Sequence, residues 1–139
     1  CCIGVDVIVG FPGEEEKDFL ATRSFLNGLD ISYLHVFTFS ERLNTEAASL
    51  DNQIPQEEKA YRSKTLHMLS DEKRYAFHDK FLTQIRPVLF ERSVNGMSQG
   101  YTDNYIRVQV AADINYENKL LDVTLNKNHG LYMNGLVRE

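Results

Sequence analysis

The stretch Asp6 to Glu14, DVIVGFPGE, restricts the fold more than any other part of the chain. Val7, Ile8 and Val9 form a continuous apolar run, the kind found in a parallel strand covered on both faces. Gly10 and Gly13 bracket Phe11-Pro12, which lets the backbone turn sharply and approach a small molecule closely. Glu14, Glu15, Glu16 and Asp18 follow where a helix N-terminus favours carboxylates, and Phe19, Thr22, Leu26 and Leu29 then recur at helical spacing. Strand, glycine turn and amphipathic helix make the front half of a βαβ unit. The same pattern also serves as plain α/β scaffold without a ligand.

Gly28 reads as a helix stop, and ISYLHVFTF at 31–39 is dominated by β-branched and aromatic residues, which predicts a second strand. A strand, a helix and a strand with short joints imply a parallel crossover, part of a doubly wound sheet or a (β/α) barrel. Ligands in such folds sit at the carboxyl ends of the strands. The rim therefore brings Gly10–Gly13 beside Phe39, Ser40, Glu41 and Arg42. For Arg42, a surface ion pair and a contact to RNA or substrate are equal alternatives. His35, inside the strand, reads as a hydrogen-bonded structural side chain, since no Cys or acidic partner is spaced to share a metal with it. Ile31, Tyr33, His35, Phe37 and Phe39 share one face of this strand.

Residues 43–56 are polar and irregular. From Gln56 to about Ile85 there is neither Gly nor Pro, which predicts one long helix ended by Pro87. Leu66, Leu69, Ala76, Phe77 and Phe81 form one apolar stripe, and Tyr61, Met68, Tyr75 and Leu82 a second. A helix apolar on two sides is expected to be sandwiched between two bodies; otherwise the second stripe is the flank of a surface helix. Beyond Pro87 the period shortens. Val88–Phe90, Tyr105–Val110 and Leu120–Leu125 read as strands, with Asn95-Gly96 as a hairpin turn between the first two. Several short strands in so few residues predict a small antiparallel barrel of the OB-like kind, a fold that binds single-stranded nucleic acid through aromatics and a few cations. Tyr101, Asn104, Tyr105 and Arg107 are the candidates, although any one tyrosine serves as readily in a core.

Charge narrows the partners. Residues 1–54 carry 3 basic and 9 acidic side chains, residues 55–85 carry 6 and 5, and residues 86–139 carry 6 of each. The acidic first part is unsuited to gripping phosphates, so nucleic-acid contact falls to the later parts. No apolar run approaches the length of a membrane span, and the expected compartment is the cytoplasm. Cys1 and Cys2, the two cysteines of 139 residues, are neighbours and read as free thiols. The chain enters a buried strand within a few residues and without an initial Met, as expected of a piece of a longer protein.

IGVDVIVGFPGE at 3–14, YLHVFTFSERLNTEAA at 33–48 and GYTDNYIRVQV at 100–110, in this order and spacing, resemble the carboxyl-terminal part of the radical S-adenosylmethionine tRNA methylthiotransferases. LHVF before the Ser-x-Arg element, and GYTxNY, most resemble the branch acting on threonylcarbamoyl-adenosine beside the anticodon. The branches acting on isopentenyl-adenosine or on a ribosomal protein are less similar. The resemblance implies that residues 1–54 are the last strands of a radical-enzyme (β/α) barrel, 55–85 a linker helix, and 86–139 a TRAM domain that binds the tRNA anticodon stem-loop. It implies S-adenosylmethionine and two 4Fe-4S clusters in the parent enzyme. With only two cysteines this fragment is expected to hold no cluster and to be inactive alone, since each cluster takes three thiolates. Val9, Gly10, Phe11 and Pro12 would lie against S-adenosylmethionine, and Phe39, Ser40 and Arg42 would face the nucleotide. Asn44 stands where relatives usually have Gly, and Phe39 where many have Tyr. A stand-alone RNA- or protein-binding module is the alternative. The apolar strands are expected to drive self-association of the fragment.

Overall fold

The computed structural model of the chain describes residues 1–111 and 113–138. Two compact units emerge, one of Ile3–Ser70 and one of Cys1–Cys2 with Asp71–Glu139. Among the described residues no helix is long and apolar enough to cross a membrane.

In the first unit, strand β1 (Gly4–Val9) leads into helix α1 (Glu16–Gly28) and then strand β2 (Tyr33–Thr38). The strands are parallel, in register from Gly4 opposite Tyr33 to Val9 opposite Thr38. Glu15 caps α1, its N–H donating to the Asp18 carboxylate at 3.0 Å, which occupies a donor the helix leaves free. The helix ends at Leu29, whose extended backbone (φ −80°, ψ 142°) breaks the turn, so Gly28 is the last helical residue rather than a left-handed stop. Val9, Phe19, Leu26, Leu34, Leu66 and Leu69 form the core, the last two from helix α2 (Gln56–Asp79). Ser70 ties the helix to the sheet, its hydroxyl accepting from Leu34 N–H (2.8 Å) and donating to Leu34 C=O (3.0 Å).

The two apolar stripes of α2 behave differently. Leu66, Leu69 and Phe77 are buried, but Tyr61, Met68 and Tyr75 are about half exposed or more, so the second stripe is a surface flank. The expectation of a helix sandwiched along both stripes is corrected on this point. The buried face instead continues through Lys59 and Arg62, seven and four residues before Leu66 and so in helical phase with it. The helix also stops earlier than Ile85. Lys80, Phe81 and Leu82 make tight hydrogen bonds three residues back, and Thr83 leaves at φ 68° with its N–H on Leu125 C=O (2.7 Å). Capture by the sheet, not Pro87, ends the helix.

The second unit is a closed five-stranded barrel in the order β3-β4-β5-β7-β6, built from Ile85–Val94, Met97–Thr102, Arg107–Ala111, Leu120–Asn128 and Met133–Val137 as β3, β4, β5, β6 and β7. Its topology is compatible with an OB-like barrel. It is mixed rather than antiparallel, because β5 and β7 run parallel from Val108 opposite Met133. Asn95-Gly96 does form a hairpin turn, but it joins β3 to β4, a strand absent from the sequence reading, as was β7. Val88, Phe90, Ile106, Val108, Val110, Val123, Leu125 and Met133 form the core of this unit together with Phe77 from α2. Burying side chains of this size stabilises by about 1.5–3 kcal/mol each, which is the main support of so small a unit.

Candidate functional site

The carboxyl ends of β1 and β2 form the first candidate site. Gly10 turns the chain at φ 76°, and a Cβ there would stand 2.5 Å from Lys59 Cγ, so the position tolerates no larger residue. Glu14 does not simply complement the helix dipole. Its carboxylate Oε2 folds back to accept from Gly10 N–H (2.6 Å) and Phe11 N–H (3.3 Å), and its Oε1 lies 3.0 Å from the Arg62 guanidinium. Arg62, 1% exposed, also donates to Glu14 C=O (2.9 Å), pairs with the Glu58 carboxylate and lies 3.8 Å from that of Glu16. Its guanidinium stacks 5.5 Å from the Phe19 ring centroid.

Lys59, likewise buried, points its ammonium at Phe39 C=O (3.5 Å) and over the Phe39 ring at 5.3 Å. Phe39 in turn donates its N–H to Val9 C=O (2.9 Å) and meets Phe11 edge-on, ring centroids 5.2 Å apart. The structure thus brings Val9, Gly10, Phe11 and Phe39 together as the rim reading expected. Val9, Gly10 and Pro12 are buried, which leaves Phe11 as the side chain the turn exposes. Ser40 and Arg42 line a hollow of about 420 Å³ with Ile8, Phe37, Thr38, Phe39, Thr45 and Ala47. Arg42 is exposed, its backbone carbonyl accepts from the Thr45 hydroxyl at 2.8 Å, and its guanidinium has no ion-pair or hydrogen-bond partner among the described residues. Asn44 keeps the left-handed conformation (φ 66°) that glycine would otherwise supply. An apolar floor with an uncommitted guanidinium at its edge suits a flat or aliphatic group that carries an anion.

Lys59 and Arg62 were missing from the sequence reading. A charged residue on a helix is ordinarily solvated, and the signal available was subtle: 59, 62, 66 and 69 share one helical face.

The second candidate site lies on the outer face of the barrel. Tyr101 and Tyr105 stack with centroids 4.9 Å apart and planes 26° apart. Tyr105 is not in a strand, as the sequence reading had it. It occupies a turn at φ 66°, costly for an aromatic residue, fixed by Tyr105 N–H to Thr102 C=O (3.0 Å) and Ile106 N–H to the Thr102 hydroxyl (2.8 Å). Asn104 closes the same turn from within, its Oδ1 accepting from the Thr102 hydroxyl at 2.6 Å, while its buried Nδ2 has no partner among the described residues. Arg107 stands opposite Tyr101 in the β4–β5 register and donates to Gln99 Oε1 at 2.8 Å. Pro87, Leu89 and Leu120 extend the apolar surface around the tyrosines, and Asp103 beside them is neutralised by a two-pronged pair with Arg86 at 3.0 and 3.1 Å. Stacked rings, apolar neighbours and an exposed guanidinium form a surface on which nucleobases can stack.

No family model matches the chain. Curated relatives do. The threonylcarbamoyladenosine tRNA methylthiotransferase MtaB of Aquifex aeolicus is 38% identical over 77% of this chain and 25% of its own length. That of Bacillus subtilis is 33% identical over 88% and 28%. The tRNA-2-methylthio-N(6)-dimethylallyladenosine synthase of Wolinella succinogenes is 32% identical over 96% and 31%. The chain spans about a quarter to a third of the length of these relatives. Similar over most of its residues to enzymes of both names, the chain belongs to the tRNA methylthiotransferase family.

Proposed function

We propose that this chain is part of a cytoplasmic tRNA methylthiotransferase that adds a methylthio group to threonylcarbamoyl-adenosine beside the anticodon by radical S-adenosylmethionine chemistry. The observation that carries the reading is the similarity to the Aquifex and Bacillus enzymes named for that nucleoside. Residues 1–54 contribute the last strands of the barrel around cofactor and substrate, 55–85 link, and 86–139 are a TRAM-type domain for the anticodon stem-loop.

Bound S-adenosylmethionine supplies the radical. The residues present would suit such a ligand: Phe11 offers a ring at the strand ends, the Gly10 and Phe11 amides are tied to the Glu14 carboxylate, and the hollow beside Phe39, Ser40 and Arg42 has room for a nucleoside. Iron–sulfur clusters fit less well. Two adjacent cysteines cannot supply three thiolates, and no group of three His, Cys, Asp or Glu side chains among the described residues is placed to hold a metal. Cluster ligation therefore belongs to other parts of the parent enzyme, and in isolation the first unit pairs with a second copy through its sheet.

The test is the full-length enzyme with unmodified and threonylcarbamoyl-modified tRNA, its nucleosides resolved by mass spectrometry. Methylthiolation of threonylcarbamoyl-adenosine is the expected product. Methylthiolation of dimethylallyl-adenosine alone would overturn the assignment in favour of the branch represented by the Wolinella enzyme, which aligns over more of the chain.

A further inference from the structure

We propose that the barrel carries a second base-stacking site, made by His129 and Tyr132, and that with the Tyr101–Tyr105 pair it holds two unstacked bases of single-stranded RNA on either side of Arg107. This rests on the reading of the barrel as an RNA-binding unit and extends it to residues that neither the sequence reading nor the relatives' names single out.

Among the described residues two pairs of stacked rings stand on this barrel, and they are built alike. His129 and Tyr132 lie with centroids 4.8 Å apart and planes 17° apart, close to the geometry of Tyr101 and Tyr105. In each pair one ring is half-buried against the barrel, Tyr101 or Tyr132, and the other lies over it in solvent, Tyr105 or His129. Each exposed ring is fixed by its turn. His129 donates its N–H to Tyr132 C=O (2.9 Å), and Gly130, at φ 82°, donates to Asn128 Oδ1 (2.8 Å). A π-face held in water without a protein partner costs free energy that a stacked base returns.

The strand order sets their spacing. β5 lies between β4 and β7, with Tyr101 opposite Arg107 and Val108 opposite Met133. Val108 and Met133 are fully buried, so the residues just before them, Arg107 and Tyr132, belong to the outer face at one level. Tyr101 and Arg107 thus sit on β4 and β5 and Tyr132 immediately precedes β7, and measured along the sheet the outer two are about 10 Å apart, twice the strand spacing. Bases stacked on each other rise about 3.4 Å per step. Two sites at three times that distance take bases splayed out of a stack, as in a loop, and leave the intervening phosphate near the Arg107 guanidinium.

The test measures binding of a fluorescent oligouridine, and of an RNA duplex of equal length, to the 139-residue chain and its variants. The single strand should bind more tightly than the duplex. Replacing His129 by Ala, or Tyr132 by Leu, should weaken oligouridine binding about 5- to 100-fold, the cost of one stacked base, while Tyr132→Phe retains it. His129 is exposed, so His129→Ala keeps the test valid if Tyr132→Leu unfolds. If Tyr105→Ala weakens binding and His129→Ala does not, the second site is refuted and the RNA-binding reading stands. If the wild-type chain binds neither RNA, that reading itself fails. Equal affinity for duplex and single strand would overturn the splayed-base geometry.

Discussion

Arg62 is the side chain on which the glycine turn depends. Gly10 and Phe11 N–H groups end on the Glu14 carboxylate, and that carboxylate is itself held by a guanidinium that is 1% exposed. The fork matters, because one end reaches Glu14 while the other meets Glu58 and Glu16. Replacing Arg62 by Met leaves three carboxylates facing one another without a cation. The partly exposed Glu16 and Glu58 can turn to water, so the cost falls at the lower end for a broken buried pair, about 3 kcal/mol. The sharper readout is local. Hydrogen exchange at the Gly10 and Phe11 amides should quicken in Arg62→Met and, less so, in Arg62→Lys, whose single point charge cannot serve both sides. Unchanged protection of those two amides in a folded Arg62→Met chain would show that the turn stands without its brace.

Helix α2 meets the β6–β7 hairpin through a polar seam inside the barrel unit. Asn128 Nδ2 donates to Tyr75 C=O (2.9 Å) and to the Asp79 carboxylate (2.8 Å), and beside it His78 is buried. Burial, then the neighbouring Arg74 charge, lowers the His78 pKa below the ordinary 6.5, against smaller opposing effects of Asn128, Asp79 and the Gly130 backbone. Below 6.5 the unfolded chain takes up a proton that the folded chain resists, so this contribution to stability is complete above 6.5 and is lost as pH falls from 6.5 toward the lowered value. Urea midpoints measured through that window should fall more steeply for wild type than for His78→Gln, and parallel slopes would exonerate the histidine.

None of this seam was legible in the sequence, where His78 is one polar residue in a long helix. What was legible had strong periodicity: the apolar runs of β1 and β2, the start and buried stripe of α2 though not its end, and the stretches around Val88, Val108 and Val123. β4 and β7 were not, because MSQGYT turns Ser98, Gly100 and Thr102 inward and MNGLV turns in Gly135 beside a single large apolar residue, Met133. Ser98 and Thr102 are buried, and Gly100 backs so closely on Leu89 that a Cβ would stand 2.1 Å from its carbonyl oxygen. Close approach of backbones at that position leaves no hydrophobic signature. At the rim the glycine turn and Phe39 could be read, while their support by Lys59 and Arg62 could not.

The sheet of the first unit has two faces with different fates. Leu34 packs into the core with Val9, and Val36 rests against it, while across the sheet Ile8 and Phe37 are 52% and 54% exposed. The two-stranded sheet also leaves the outer edges of β1 and β2 without a neighbouring strand among the described residues, although Ser70 occupies the edge groups of Leu34 in β2. A two-stranded sheet is marginal by itself, and an apolar face beside free edges is a template for another strand. The barrel has no such edge, because its five strands close. Association should therefore run through residues 3–39 and leave the barrel as it is. Size-exclusion chromatography with light scattering should show dimers or larger species whose fraction rises with concentration. Replacing Ile8 and Phe37 by Lys, each already half in solvent, should return the chain to monomer with its helices intact by circular dichroism. A wild-type chain that stays monomeric at high concentration would refute the sheet-mediated pairing, and a Lys variant that still associates would move the interface elsewhere.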